Sequence, residues 1–225
     1  MNDLTTIQQI AVLALPLLFA ITAHEAAHGW VAKILGDSTA SMLGRVTFNP
    51  LRHIDPIGTI LVPIVMYVSS SMLTGGQPFL FGWAKPVPVD WRNLGNPRRD
   101  MALVALAGPM ANLIMAIFWA LMLKIGVSLE SGLAWIALPL YYMGIFGIFI
   151  NSILMILNLL PILPLDGGRI LTSMLPPRLA MNYAKLEPWG LVIVIALLVS
   201  GLLGTILTPG IKFVQTLSAT LVGLN

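Results

Sequence analysis

The chain has no cysteine among its 225 residues. That excludes a disulfide framework and leaves any bound metal to His, Asp or Glu. Charge is scarce too: Lys, Arg, Asp and Glu make up 9% of the chain, against about a quarter in a soluble domain. With 57% hydrophobic residues and a mean hydropathy of +0.90, the polar surface is too small to face water all round. This argues against a soluble enzyme, a nucleic-acid binder and a disordered chain. Residues 1–9 carry no Lys or Arg, so the basic n-region of a signal peptide is missing and the first apolar stretch reads as a retained span.

What is there is apolar sequence in long runs. The expectation is an all-α polytopic membrane protein, a single domain over residues 1–225 with its core at about 7–207, embedded in the lipid bilayer and with no nucleic-acid partner. About six transmembrane helices fit the length at roughly 20 residues each. They are drawn at residues 7–35, 57–73, 101–125, 134–160, a short piece at 168–175, and 189–207, with a weakly apolar tail at 211–224 suited to the interface. Short extended or β segments are expected between spans. Residues 37–56 are polar, with β-branched residues and glycine, and residues 75–90 hold prolines that forbid a regular helix. Gly144 and Gly147 suit close helix packing. The net charge is +3, attributed to loop lysines and arginines. Alternating spans put Lys85, Arg92, Arg98, Arg99, Arg169, Arg178 and Lys185 on the N-terminal side and Lys33, Arg45, Arg52 and Lys124 on the other. The positive-inside rule then favours a cytoplasmic N-terminus.

Only three histidines occur, and two of them sit in one apolar span around a glutamate, His24-Glu25-Ala26-Ala27-His28. On a helix, residues four apart lie about 40° apart around the axis and about 6 Å along it. Both imidazoles can then reach one metal ion, with Glu25 beside a metal-bound water, the H-E-x-x-H arrangement of zinc hydrolases. A solvated helix face would explain such a pattern in a soluble protein. In lipid that explanation fails, because three ionisable groups are costly there unless paired or functional.

A catalytic zinc needs a third protein ligand and an open position. His53 and Asp55 lie in a polar connection, and Asp37, Asp90, Asp100, Glu130 and Glu187 border spans, where capping suits them. Asp166 differs. Pro161 and Pro164 break the helix before it, and Gly167 and Gly168 free the backbone after it. Such a break turns a carboxylate inward, and Asp166 is favoured over a plain helix cap.

Taken together, His24-Glu25-Ala26-Ala27-His28 and Leu165-Asp166-Gly167 resemble the two signatures of the site-2 protease family, intramembrane zinc metalloproteases. Three further stretches, His53 to Gly58, Gly82 to Val89 and Gly108-Pro109-Met110-Ala111-Asn112, are similar to its compact branch without a PDZ domain. The resemblance covers roughly residues 20–175. It implies one Zn²⁺ per chain and hydrolysis of peptide bonds within or near a transmembrane helix of membrane-protein substrates, as in regulated intramembrane proteolysis. In that scheme zinc-activated water attacks the scissile carbonyl, with His24, His28 and Asp166 as metal ligands and Glu25 as general base. Asn112 and Asn158, amides in apolar spans, are candidates for holding the oxyanion or positioning substrate, with interhelical hydrogen bonding as the alternative. His53 is a candidate for gating or for supporting the site. Gly82, Lys85, Pro86 and Val87 are candidates for pairing with an extended substrate strand. Two rival classes remain: a metal-ion or proton transporter using the same four residues, and an inactive membrane scaffold.

Overall fold

The structure is a computed structural model and describes residues 4–74, 82–129 and 133–224. The expected proline-rich stretch is therefore described only from Gly82, and Gly75 to Phe81 and Glu130 lie outside the described residues.

Three helices are long and apolar enough to cross a membrane: α1 (Thr6–Ile34), α4 (Pro97–Ser128) and α5 (Ala134–Asn158). Between α1 and α4 come a one-turn helix, α2 (Thr39–Met42), a 3-10 turn (Pro50–Arg52), a π-helical turn (Pro56–Leu61) running into α3 (Val62–Thr74), and a 3-10 turn (Trp91–Asn93). After α5 follow α6 (Asp166–Met174), α7 (Pro177–Ala184), α8 (Glu187–Val199) and α9 (Leu202–Leu221). α7 and α8 pass as one apolar span only as a pair bent by 62°. The architecture is all-helical, and among the described residues no β-strand forms. Residues 82–90 run as a strap without regular structure.

Local sequence explains the ends. Thr5 and Gln8 form a reciprocal capping box at the start of α1, and Asn96 caps α4 ahead of Pro97. Pro16, Pro109 and Pro139 sit inside α1, α4 and α5, as membrane helices tolerate because neighbours restore the lost backbone bonds. The final apolar stretch breaks at Ser200-Gly201, where Gly201 adopts φ +75°. The expected tail is thereby part of α9, which packs on α5, α4 and α8.

The packing is inside-out relative to a soluble protein. α1, α4 and α5 pack pairwise, and small residues such as Ala20, Ala23, Ala105, Ala116 and Ala120 fill their contacts. Gly147 and Gly144 lie against Trp119 and Leu123, which leaves no room for a side chain and agrees with the expected close packing. Ile7, Trp30, Ile114 and Phe213 point outward at 80%, 59%, 64% and 66% exposure, whereas His24, His28, Asn112, Asn151 and Asp166 are buried. Apolar outside and polar inside is the pattern of a protein solvated by lipid.

One sequence expectation fails here. The chain between α1 and α4 returns to the end of α1 from which it left. Arg45 Nη2 donates to Lys85 O at 2.9 Å, Asp90 N donates to Asp37 Oδ2 at 2.8 Å, and Gly95 N donates to Leu35 O at 3.1 Å. Arg45 and Lys85 thus share one face rather than lying on opposite sides, and the charge count behind a cytoplasmic N-terminus no longer holds. Lys33, Arg45, Arg52, Lys85, Arg92, Arg98 and Arg99 all gather at the C-terminal end of α1 and the N-terminal end of α4. The strap is held beside the start of the π-helical turn, where Trp83 N donates to Gly58 O at 3.0 Å and Lys85 N to His53 O at 2.8 Å, and this pairing keeps it on that face.

Candidate metal centre

His24, Glu25 and His28 project from the last third of α1. At about 1.5 Å per residue, His28 lies about 9 Å and His24 about 15 Å from the helix end at Ile34. Asp166 is the first residue of α6. Gly167 and Gly168 let α6 press against the preceding turn: a side chain at Gly167 would run into the Leu159 and Leu160 carbonyls, and one at Gly168 into the backbone of Ile162 and Leu163. α6 packs in turn on α4.

These elements bring three side chains together. His24 Nε2 and His28 Nε2 stand 3.1 Å apart, and Asp166 Oδ2 lies 3.2 Å from the first and 3.4 Å from the second. Among the described residues this is the one cluster of His and acidic side chains with metal-binding geometry.

The far side of each ring fixes its proton. His28 Nδ1 lies 2.7 Å from Val104 O, which only accepts, so Nδ1 carries the hydrogen. His24 Nδ1 lies 2.6 Å from Asn112 Oδ1. The orientation of Asn112 is set by its amide nitrogen, which donates to Ala20 O at 3.2 Å and to Asn151 Oδ1 at 3.0 Å. Asn151 is fixed in turn by donating to Gly147 O at 2.8 Å. In the neutral rings both Nε2 atoms therefore keep bare lone pairs facing Asp166 Oδ2, a buried oxygen with no hydrogen-bond donor among the described residues. Three acceptors packed this closely repel one another unless a cation sits among them. Ligand atoms at about 2.0–2.1 Å from a tetrahedral zinc stand about 3.4 Å apart, so the observed separations suit that ion. The outer acceptors also supply the support that metal-bound imidazoles require.

Gly108 makes this pocket possible. A Cβ there would stand 2.6 Å from Cε1 of both His24 and His28.

Glu25 is tied to the strap: Val87 N donates to its Oε2 at 2.8 Å. Alternate strap amides are anchored in the same direction, Trp83 N to Gly58 O at 3.0 Å and Lys85 N to His53 O at 2.8 Å. Pro86 and Pro88 have no N–H to give on the other edge.

The remaining expected residues fall as follows. Asn112 is fully buried with both amide hydrogens used inside the bundle. Asn158, at the end of α5, donates to Leu154 O at 2.9 Å. His53 is buried, donates from Nε2 to Thr47 O at 3.0 Å, and holds Lys85 through its carbonyl. It is not in the metal cluster, nor is Asp55, which caps the π-helical turn at Ile57 N and Gly58 N. Sequence reasoning overlooked Asn151, and read Asp37 only as a border residue suited to capping and Arg45 only as a loop charge. Asn151 could have been found by the argument that singled out Asn112, an amide in an apolar span.

Asp37 fastens the strap. Its oxygens accept from the Thr39 amide and hydroxyl, from Asn93 Nδ2 and from Asp90 N. Burial pushes its carboxyl up, but these donors outweigh it and hold the group below the usual carboxylate range. Hydrogen bonds from the exposed Arg92 side chain and amide pull Asp90 down to about 2.

Comparison with known proteins gives the family. The sequence model of peptidase family M50 matches residues 12–137 and 130–201. The chain belongs to peptidase family M50, the site-2 protease family. Its relatives carry metalloprotease names. It is 38% identical over 199 residues to "Putative zinc metalloprotease YwhC" of Bacillus subtilis, covering 88% of this chain and 84% of that protein. It is 28% identical over 183 residues to "Putative zinc metalloprotease Rip2" of Mycolicibacterium smegmatis, covering 81% of this chain and 64% of that one. Over 69 residues it is 42% identical to "Putative zinc metalloprotease MJ0611" of Methanocaldococcus jannaschii, covering 30% of this chain and 31% of that protein. No solved structure matches.

Proposed function

We propose that this M50 protein is an intramembrane zinc endopeptidase that cuts membrane-protein substrates within or near a transmembrane helix. The observation that carries the reading is the trio of bare ligand atoms, His24 Nε2, His28 Nε2 and Asp166 Oδ2, buried in a membrane helix bundle beside Glu25. Zinc bound by those three atoms supplies a Lewis acid for the scissile carbonyl and lowers the pKa of water.

The protein's own residues supply the rest. Glu25 takes the proton of the attacking water and returns it to the leaving amide nitrogen. Asn112 orients His24, and Asn151 orients Asn112, so the role argued for Asn112 is positioning rather than holding the oxyanion. Asn158 remains the side-chain candidate for the oxyanion. Val87 N–H fixes the Glu25 carboxylate and ties the strap to the reaction centre. On the strap edge at Ala84, Pro86 and Pro88, Pro86 O already accepts from Arg45, and the carbonyls of Ala84 and Pro88 are the ones to which an extended substrate would dock by donating its own amides. His53 acts as a strut under Lys85. The cations gathered at the C-terminal end of α1 favour placing that end on the cytoplasmic side.

The test compares wild type with Glu25→Gln on single-span substrates in detergent, with zinc content measured on both. Cleavage should fall by about 10²–10⁴-fold, the usual worth of a general base, at unchanged zinc content. Equal cleavage by both proteins would remove Glu25 from the mechanism. A zinc-loaded wild type that cuts none of a broad substrate panel would count against the protease reading.

A further inference from the structure

Beside the strap lies an open cavity of about 500 Å³ whose lining includes Arg45, Arg52, Lys85, Ile54, Pro86 and Pro88. Three cations and no acidic residue line it. Among the described residues the one ion pair made by a Lys or Arg is Arg92 with Asp90, so none of the three is neutralised. The nearby Asp55 is occupied in capping the π-helical turn. Arg45 is only 9% exposed. Its Nη2 donates to Lys85 O and Pro86 O, and its buried Nε has no partner. A guanidinium held this deep without a counter-charge is costly, and it adds its charge to that of Arg52 and Lys85 in the cavity wall.

We infer that this cavity receives an acidic side chain of the polypeptide being cut, close to the scissile bond. The inference rests on the protease reading and adds a sequence preference to it. Continuity with the reaction centre selects the occupant. Lys85 and Pro86 form the cavity wall, and Val87, the next residue, donates to Glu25. Lys85 and Val87 are separated by about 7 Å of extended chain. A substrate strand along the same edge therefore carries its acidic residue about two to four positions from the cut bond. Ile54, Pro86 and Pro88 cover the apolar neighbours of that residue, and Arg52 and Lys85, both exposed, meet its carboxylate. An anionic lipid headgroup shares the carboxylate's charge but not the strap's register.

The experiment measures binding of a labelled single-span peptide to the full-length, zinc-loaded Glu25→Gln protein in neutral detergent, by fluorescence anisotropy. Glu and Gln are compared at each of positions two to four from the cut. The Glu peptide should bind about tenfold more tightly at one position, the product of two exposed ion pairs worth about threefold each. The double variant Arg52→Gln, Lys85→Gln should erase the difference, and Arg52→Glu, Lys85→Glu should prefer Lys at the same position. Both side chains are exposed, and zinc content and thermal unfolding report that the variants stay folded. Equal affinities in the Glu25→Gln protein, no binding of either peptide, or a preference that survives the double variant would overturn the inference. So would a preference that appears only on adding anionic lipid, which would make the lipid the occupant. A wild-type protein that shows the binding difference yet never cuts would sink the protease reading and leave only a cationic site for an acidic polypeptide side chain.

Discussion

Replacing Gly108 by alanine adds one methyl group and should cost the protein its metal. The new Cβ would sit 2.6 Å from Cε1 of both His24 and His28, about 1 Å inside ordinary carbon–carbon contact. The rings cannot simply retreat, because each is pinned at its Nδ1, one by Asn112 Oδ1 at 2.6 Å and the other by Val104 O at 2.7 Å. A shift of about 1 Å breaks one or both of these bonds, or separates α4 from α1 along a packed interface. Loss of such an outer hydrogen bond usually lowers metal affinity about 10–100-fold. With both rings displaced, Gly108→Ala should lower zinc affinity by about 10²–10⁴. Helix propensity acts the other way, since alanine is favoured over glycine by about 1 kcal/mol in a helix interior, so the loss cannot come from a weaker α4. The assay is competition with a chromophoric chelator on detergent-purified protein, alongside thermal unfolding of the apo form. Gly204→Ala, where the added Cβ meets nothing within 4 Å, is the control and should bind zinc as wild type does. A Gly108→Ala protein whose zinc affinity stays within threefold of wild type would refute the geometry of the site.

Asn112→Leu should lower zinc affinity about 10–100-fold, because His24 Nδ1 loses its acceptor; Asn151→Leu should do so more weakly, since it acts only through Asn112. Chelator competition on both variants measures the order, and the reverse order would break the relay. Val87→Pro removes the amide that holds Glu25 Oε2; zinc content should stay unchanged while kcat falls more than tenfold with KM moving little, the loss of one charge-assisted bond, and steady-state kinetics with retained kcat would rule the contact out. For Asp37 the sign follows from a folded pKa below the unfolded one. Its contribution to strap docking is full above the unfolded value near 3.9 and is lost as pH falls through the depressed folded value. Limited proteolysis should therefore spare residues 82–96 of wild type from pH 7 down to about 4, and should cut Asp37→Ala there already at pH 7. Equal resistance of the two proteins at pH 7 would show that Asp37 does not hold the strap.

The His24, His28 and Asp166 cluster was legible in the sequence as a candidate metal centre because each of its parts is a local event. His24, Glu25 and His28 meet through helix periodicity alone, and Asp166 announces itself by the helix break at Pro161 and Pro164 before it and the glycines after it. Residues whose roles depend on pairing between distant elements were harder to read. Asn112 was visible as a polar group in an apolar span, but its partners, Ala20 O and Asn151 on two other helices, set its role and cannot be deduced from one sequence. Gly108 stood in a noted motif without a reason; the reason is a contact across two helices. The break at Gly201 was hidden because Leu, Ile and Val continue on both sides of it, and hydropathy does not register a positive φ.

Topology failed for a more general reason, and the failure bears on mechanism. Counting spans assumes that every apolar stretch crosses, but the helix that starts at Pro56 is apolar and shorter than α1, α4 and α5, and the strap after it returns to Arg45 and Asp37. A chain that left for the opposite face could not bring Val87 N–H to Glu25, which faces the cytoplasmic end in the orientation proposed here. The same return concentrates Arg45, Arg52 and Lys85 beside the base instead of dividing them across the bilayer. The misread parity and the cationic cavity are thus one structural fact. The segment between α1 and α4 walls the candidate metal centre, tied by Asp37 at one end and by His53 and Gly58 at the other, and its Val87 N–H reaches Glu25 because of that return.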